Sequence, residues 1–179
     1  MSNVALDVLH HPERSASAPG MRFLWLILLA SPALAQPRPD LDSQLDQVAA
    51  VHGGAGPFAV EGYRMARHAL EVLKLEPGSF DLDVEHHSPK AVQFSCIADG
   101  AQAATKVSVG KLSLRWVEAP LEETQTIFIK RSTGQKLVLK PTAAFIKTFV
   151  NLPHEKAREN GRKVLGLTDA DIFEVVPSK

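Results

Sequence analysis

Apolar residues recur at every third or fourth position from Phe58 to Leu73. Phe58, Gly62, Met65, Ala66, Ala69 and Leu73 share one face, which predicts a helix. Pro57 suits its first position. Glu61, Arg64, His68 and Glu71 are expected on the opposite, solvated face, and Pro77-Gly78 ends the segment. Before it, Leu41 to Val51 predicts a short helix with Leu45, Val48 and Val51 on one side. The turn His52-Gly53-Gly54-Ala55-Gly56 separates the two. Phe80-Asp81-Leu82-Asp83-Val84-Glu85 alternates apolar and acidic residues, the pattern of a half-buried strand. A loop with Pro89 leads to an Ala- and Gly-rich helix expected to start near Ser95, a good N-cap residue.

Three strands are expected next. Leu112, Leu114 and Trp116 alternate with polar residues. Thr124 to Lys130 and Lys136 to Lys140 flank the turn Ser132-Thr133-Gly134 and form a hairpin. Ala143 to Val150 and His154 to Leu165 predict helices separated by Pro153, and Phe173 to Val176 predicts a short strand. The order is helix, strand, helix, three strands, then helices. It points to an α+β fold with a mixed, mostly antiparallel sheet.

The amino-terminal region reads differently. Met21-Arg22 opens the apolar run Phe23 to Ala30, and Ala33-Leu34-Ala35 precedes Gln36-Pro37-Arg38-Pro39. A charge, a short apolar core and an A-x-A ending predict a secretory signal over residues 21–35. The run is shorter than the roughly 20 residues a membrane span needs. Residues 1–20 are expected to be a gene-model extension before a true start at Met21. Residues 36–50 are read as a linker and short helix, and residues 51–179 as the functional domain. The expected location is the periplasm or outside the cell.

With 20 basic and 20 acidic residues, charge gives no case for nucleic acid or an anionic membrane as partner. Cys96 is the only cysteine, so no internal disulfide can form. It is a buried residue, a metal ligand or a reactive thiol. Read at a helix start, it would feel the positive end of the helix dipole. Asp99 follows one turn later on the same side. Thiolate and carboxylate begin a metal site that an imidazole would extend, and zinc accepts all three donors. Cys96 as a small core residue and Asp99 as a first-turn charge fit the same spacing. His52 lies before a glycine turn able to bring backbone close to a ligand, and it is expected, like Cys96, at a helix start. Ser108-Val109-Gly110-Lys111 could hold an anion through backbone donors and an ammonium. His68 and His154 are expected in solvent, and so are His86 and His87 at a strand end, although one of that pair is the alternative to water for completing the site. Phosphate-loop, dinucleotide, C-x-x-C, H-E-x-x-H and G-x-S-x-G patterns are absent from the sequence.

Two blocks resemble the formylmethanofuran dehydrogenase E family. One is His52-Gly53-Gly54-Ala55-Gly56-Pro57 with Gly62-Tyr63-Arg64-Met65 and Ala69-Leu70. The other is Cys96, Asp99-Gly100, Gln102, Thr105, Ser108, Gly110-Lys111 and Leu114. The resemblance implies a metal pocket of His52, Cys96 and Asp99, with a divalent transition metal, zinc first, as cofactor. Family members commonly carry a second histidine where this chain has Gly54, a cysteine near Ala55, and a glycine at the position of Lys106. The zinc ribbon of many relatives is missing, as are the pterin-bearing subunits of the methanogen enzyme.

The expected function is therefore an exported metal-binding domain with a His/Cys/Asp pocket, supporting redox or hydrolytic chemistry. No residue is assigned a catalytic role. Alternatives are a small-anion binder using Ser108, Gly110 and Lys111, and a structural subunit of a periplasmic redox complex. The expected partners are a small molecule, and either a second copy in a homodimer or a redox complex. Acidification is expected to weaken metal binding as His52 protonates near its ordinary pKa of roughly 6.5.

Overall fold

The computed structural model describes residues 40–177. The expected signal and the segment before it lie outside the described residues. Among those described, no helix is long and apolar enough to cross a membrane.

Helix α1 runs Leu41–His52. Asp40 caps it by accepting the Ser43 N–H at 2.9 Å. Gly53 closes it in the left-handed conformation, φ 82°. Leu45 and Val48 face the core, whereas Val51 is exposed. Helix α2, Pro57–Leu73, has proline at its first position. All six residues of its predicted apolar face are buried. So is Glu61, which was expected in solvent. It precedes Met65 by four positions and follows Phe58 by three, so helical geometry puts it on their face. Its carboxyl oxygens find no hydrogen-bond partner. Burial holds its pKa well above the ordinary glutamate value.

Strand β1 spans Leu82–Ser88, later than the alternation from Phe80 implied. Phe80 is 77% exposed, and the inward residues are Leu82, Val84, His86 and Ser88. Helix α3, Val92–Thr105, begins earlier than expected. Its N-cap is Ala91, and Ser95 lies inside the helix with its Oγ donating to the Val92 carbonyl at 3.1 Å. Strand β2, Leu114–Glu118, starts after Leu112, which is 83% exposed and has a left-handed φ of 55°. Strands β3 (Gln125–Lys130) and β4 (Gln135–Pro141) form the predicted hairpin. Helix α4 covers Ala143–Phe149. The segment expected as one helix from His154 is a 3-10 turn followed by α5, Ala157–Leu165. A four-residue α6, Asp169–Ile172, precedes β5, Phe173–Val176.

The sheet order is β2-β1-β3-β4-β5. Only β1 and β2 pair in parallel, joined through α3, and the other pairs are antiparallel. This is the expected α+β arrangement.

Small residues set the spacing of α2 and α3. A Cβ on Gly62 would come within 2.0 Å of the Ile97 carbonyl oxygen, and one on Gly100 within 1.8 Å of that of Ala59. The two helices touch backbone to backbone because both positions lack a side chain. That contact fixes the start of α2, and the turn before it, against the face of α3 that carries Cys96 and Asp99.

Candidate functional site

His52, Cys96 and Asp99 come together although 44 positions separate the first two. The Nδ1 atom of His52 lies 2.8 Å from Oδ2 of Asp99. The Cys96 thiol is the second group, after Asp99, whose proximity favours the charged form of the ring. Cysteine and aspartate share one face of α3 because they are three residues apart. Their surroundings differ. Cys96 is buried, whereas the Asp99 side chain is 45% exposed. The imidazole is thus influenced by a buried thiol and by a carboxylate at the surface.

Two features expected of this site are corrected. His52 is not at a helix start but is the last residue of α1, at the negative end of that helix. Cys96 is the fifth residue of α3, beyond the first turn in which a helix dipole acts strongly. The ring's behaviour changes accordingly. The hydrogen bond to Asp99, and then the nearby Cys96 thiol, raise the His52 pKa from 6.5 to about 10, against the opposing effect of burial. In the metal-free protein His52 is therefore an imidazolium at neutral pH, not the neutral ring expected, and a metal ion on its Nε2 has to displace the proton held there.

Both His52 and Cys96 line a cavity of about 1030 Å³. Its walls come from the turn between α1 and α2, the beginnings of α2, α3 and α5, and the segment between α4 and α5. Asp99 does not line it, and holds the ring from behind. Gly54 and Ala55 do line it. These are the positions where the family resemblance led to the expectation of a further histidine and a cysteine, and neither Gly54 nor Ala55 offers a side-chain donor to the cavity. Among the described residues, no set of three His, Cys, Asp or Glu side chains is arranged to hold a metal ion. Asp99 is engaged on Nδ1, which leaves Cys96 Sγ and His52 Nε2 as donors. Their chemistry fits zinc, but they fill only two positions of a shell that is usually four. The others would fall to water or to a ligand in the cavity.

Ser108, Gly110 and Lys111 lie elsewhere. They form a 3-10 turn between α3 and β2 and do not line the cavity. Ser108 Oγ accepts the Lys111 N–H at 3.3 Å, and Lys111 Nζ donates to the Lys106 carbonyl at 2.8 Å. Lys106 itself closes α3 at a left-handed φ of 64°, a conformation that favours glycine, the residue the family resemblance led us to expect there.

The remaining histidines divide. His86, expected in solvent, is fully buried. Its Nδ1 pairs with Thr126 Oγ1 at 2.9 Å and its Nε2 with the Phe94 carbonyl at 3.0 Å. It therefore belongs to the core and not to the cavity. His87 points to the other side of the sheet, 2.6 Å from Glu85 Oε1. His68 is half-buried, 3.4 Å from Asp169 Oδ2. His154 is exposed at the cavity mouth. Sequence reasoning missed Asn160, a buried polar residue in the cavity wall. Its helix was expected, but no sequence pattern distinguished it from the charged residues around it.

The family model described as FmdE, Molybdenum formylmethanofuran dehydrogenase operon, matches residues 51–174. No curated protein matches the chain. The family match takes in both blocks of the site, strands β1 to β4 and the start of β5, and by it the chain belongs to the FmdE family.

Proposed function

We propose that this FmdE domain is an exported small-molecule site that binds one divalent transition ion, zinc first, through Cys96 Sγ and His52 Nε2. The observation that carries the reading is the 2.8 Å contact between Asp99 Oδ2 and His52 Nδ1. A carboxylate behind a histidine fixes the ring and raises its basicity, the usual support for a metal-ligating imidazole. Asp99 is thus an orienting group, where the family resemblance made it a ligand. The cavity admits the molecule that completes the ion's shell. Bound there, zinc would polarise an oxygen of that molecule or of a water.

Elemental analysis tests the reading on full-length protein purified without chelators or a histidine tag. About one equivalent of metal is expected, lost in Cys96→Ser and in His52→Ala. Asp99→Asn should weaken affinity by roughly 10- to 100-fold. Metal-free protein that takes up no added zinc would overturn it, as would unchanged metal content in Cys96→Ser. Export is tested by sequencing the protein from its host, with a start at or near Gln36 expected.

One observation favours a second reading. The raised pKa of His52 places a cation beside Sγ, the setting of a nucleophilic thiol. Alkylation separates the two. Zinc should protect Cys96 from iodoacetamide in the first reading and leave the rate unchanged in the second. The alternative of a structural subunit with a vestigial site predicts co-purification with a redox complex and no zinc-dependent protection.

A further inference from the structure

The cavity gathers hydrogen-bond donors that the cluster of His52, Cys96 and Asp99 does not use. Helices α2 and α3 both begin in its wall, and neither N-terminus is capped by a side chain. The N–H groups of Phe58, Ala59, Val92 and Gln93 belong to first turns, where no carbonyl of the same helix can reach them. None has an acceptor among the described residues. Long helices of 17 and 14 residues thus direct their positive ends toward one space.

Asn160 adds an independent donor. It lines the cavity and is only 5% exposed. The ammonium of Lys163 donates to its Oδ1 at 3.1 Å. An ammonium needs an acceptor, so this contact assigns the amide and leaves the Nδ2 donors without a protein partner. Asn160 lies in the cavity wall, so a bound group there can accept from these donors. The wall also carries apolar side chains, Ala49, Phe58, Phe149 and Leu152, beside the charged Glu155 and Arg158. A bare inorganic oxyanion would leave that apolar surface in contact with water. The volume, about 1030 Å³, also suits an organic molecule.

We infer that the cavity binds a small organic carboxylate, its oxygens taken by Asn160 Nδ2 and the free N–H groups opening α2 and α3, its carbon chain against Phe58, Phe149 and Leu152. The inference rests on the cavity as the functional site but does not require the metal.

Sodium butyrate is the probe, measured by calorimetry on the full chain with zinc loaded and with zinc removed, beside butanamide and inorganic phosphate. Butyrate should bind at least tenfold more tightly than either control in both preparations. Asn160→Asp keeps the shape and the acceptor for Lys163 but loses the donors and adds a repelling charge. It should weaken butyrate at least tenfold and leave zinc content unchanged. Butanamide or phosphate binding as tightly as butyrate would overturn the inference, and that comparison needs no variant. Butyrate that binds only the zinc-loaded protein, indifferent to Asn160→Asp, would also overturn it and leave the metal reading intact. Protein that takes no zinc but binds butyrate through Asn160 would support this inference and defeat the metal reading.

Discussion

His52 and His86 each have two polar partners, yet they are driven in opposite directions. At the cavity, His52 faces a carboxylate and a thiol, and its pKa rises to about 10. Beneath the sheet, His86 faces a hydroxyl and a carbonyl, and burial drives its pKa down to about 4. Two partners therefore do not decide the charge of a histidine. Anionic partners favour the cation, whereas neutral partners in a closed core leave the desolvation of the charged form uncompensated. One ring belongs to a site that handles charge. The other is a neutral peg joining β1 to β3 and to the start of α3.

Linkage gives the contrast a pH signature. The folded pKa of His86 lies below its unfolded value, so its contribution is present above pH 6.5 and lost as pH falls toward 4. His52 is raised, so its contribution is present below pH 6.5 and lost as pH rises toward 10. The protein should lose stability at both limbs through different residues. Denaturant titrations of His86→Gln and His52→Gln should each flatten the slope of one limb only.

The largest effect should come from disturbing the contact that brings the two helices of the site together. Gly100→Ala puts a methyl against the Ala59 carbonyl and the Tyr63 N–H, where backbone must move. A loss of at least about 3 kcal/mol is expected in urea unfolding, with the cavity disrupted. A smaller effect, of opposite sign, should follow from Glu61→Leu. Removing an unpartnered buried carboxyl should stabilise the fold by about 1–3 kcal/mol. Glu61 has a raised folded pKa, so its contribution is present below its ordinary value and lost as pH rises through the folded one. The gain in Glu61→Leu should therefore grow with pH. The smallest effect is expected at Lys106→Gly, which relieves a left-handed residue at the end of α3 by about 1 kcal/mol, read as a shift in the denaturation midpoint.

The sequence was most legible where period and burial agree. The apolar face of α2, the β3–β4 hairpin and β5 all fall where spacing put them. Pro57 marks the start of α2, and the Ala- and Gly-rich composition of α3 does permit close backbone contact. Charge misled at Glu61, because α2 is enclosed by other helices and the sheet, and its buried surface exceeds a single stripe. His86 was misplaced with the strand end: β1 continues to Ser88, so the alternation carries His86 inward. The start of α3 was obscured because Ala91 gives no side-chain cap to recognise. The union of His52 with Cys96 was legible only through the family resemblance. Local spacing carries no information about which turn meets which helix, and the decisive contact runs through Gly62 and Gly100.

The central claim is that Asp99, with Cys96 beside it, holds the His52 ring in its charged form. An NMR titration of the imidazole signals in metal-free protein tests it most directly, with His86 as the internal reference. His52 should titrate near 10 and His86 near 4. In Asp99→Asn the His52 value should fall toward its ordinary 6.5 while His86 stays in place. A wild-type His52 that titrates near 6.5 and ignores Asp99→Asn would contradict the account.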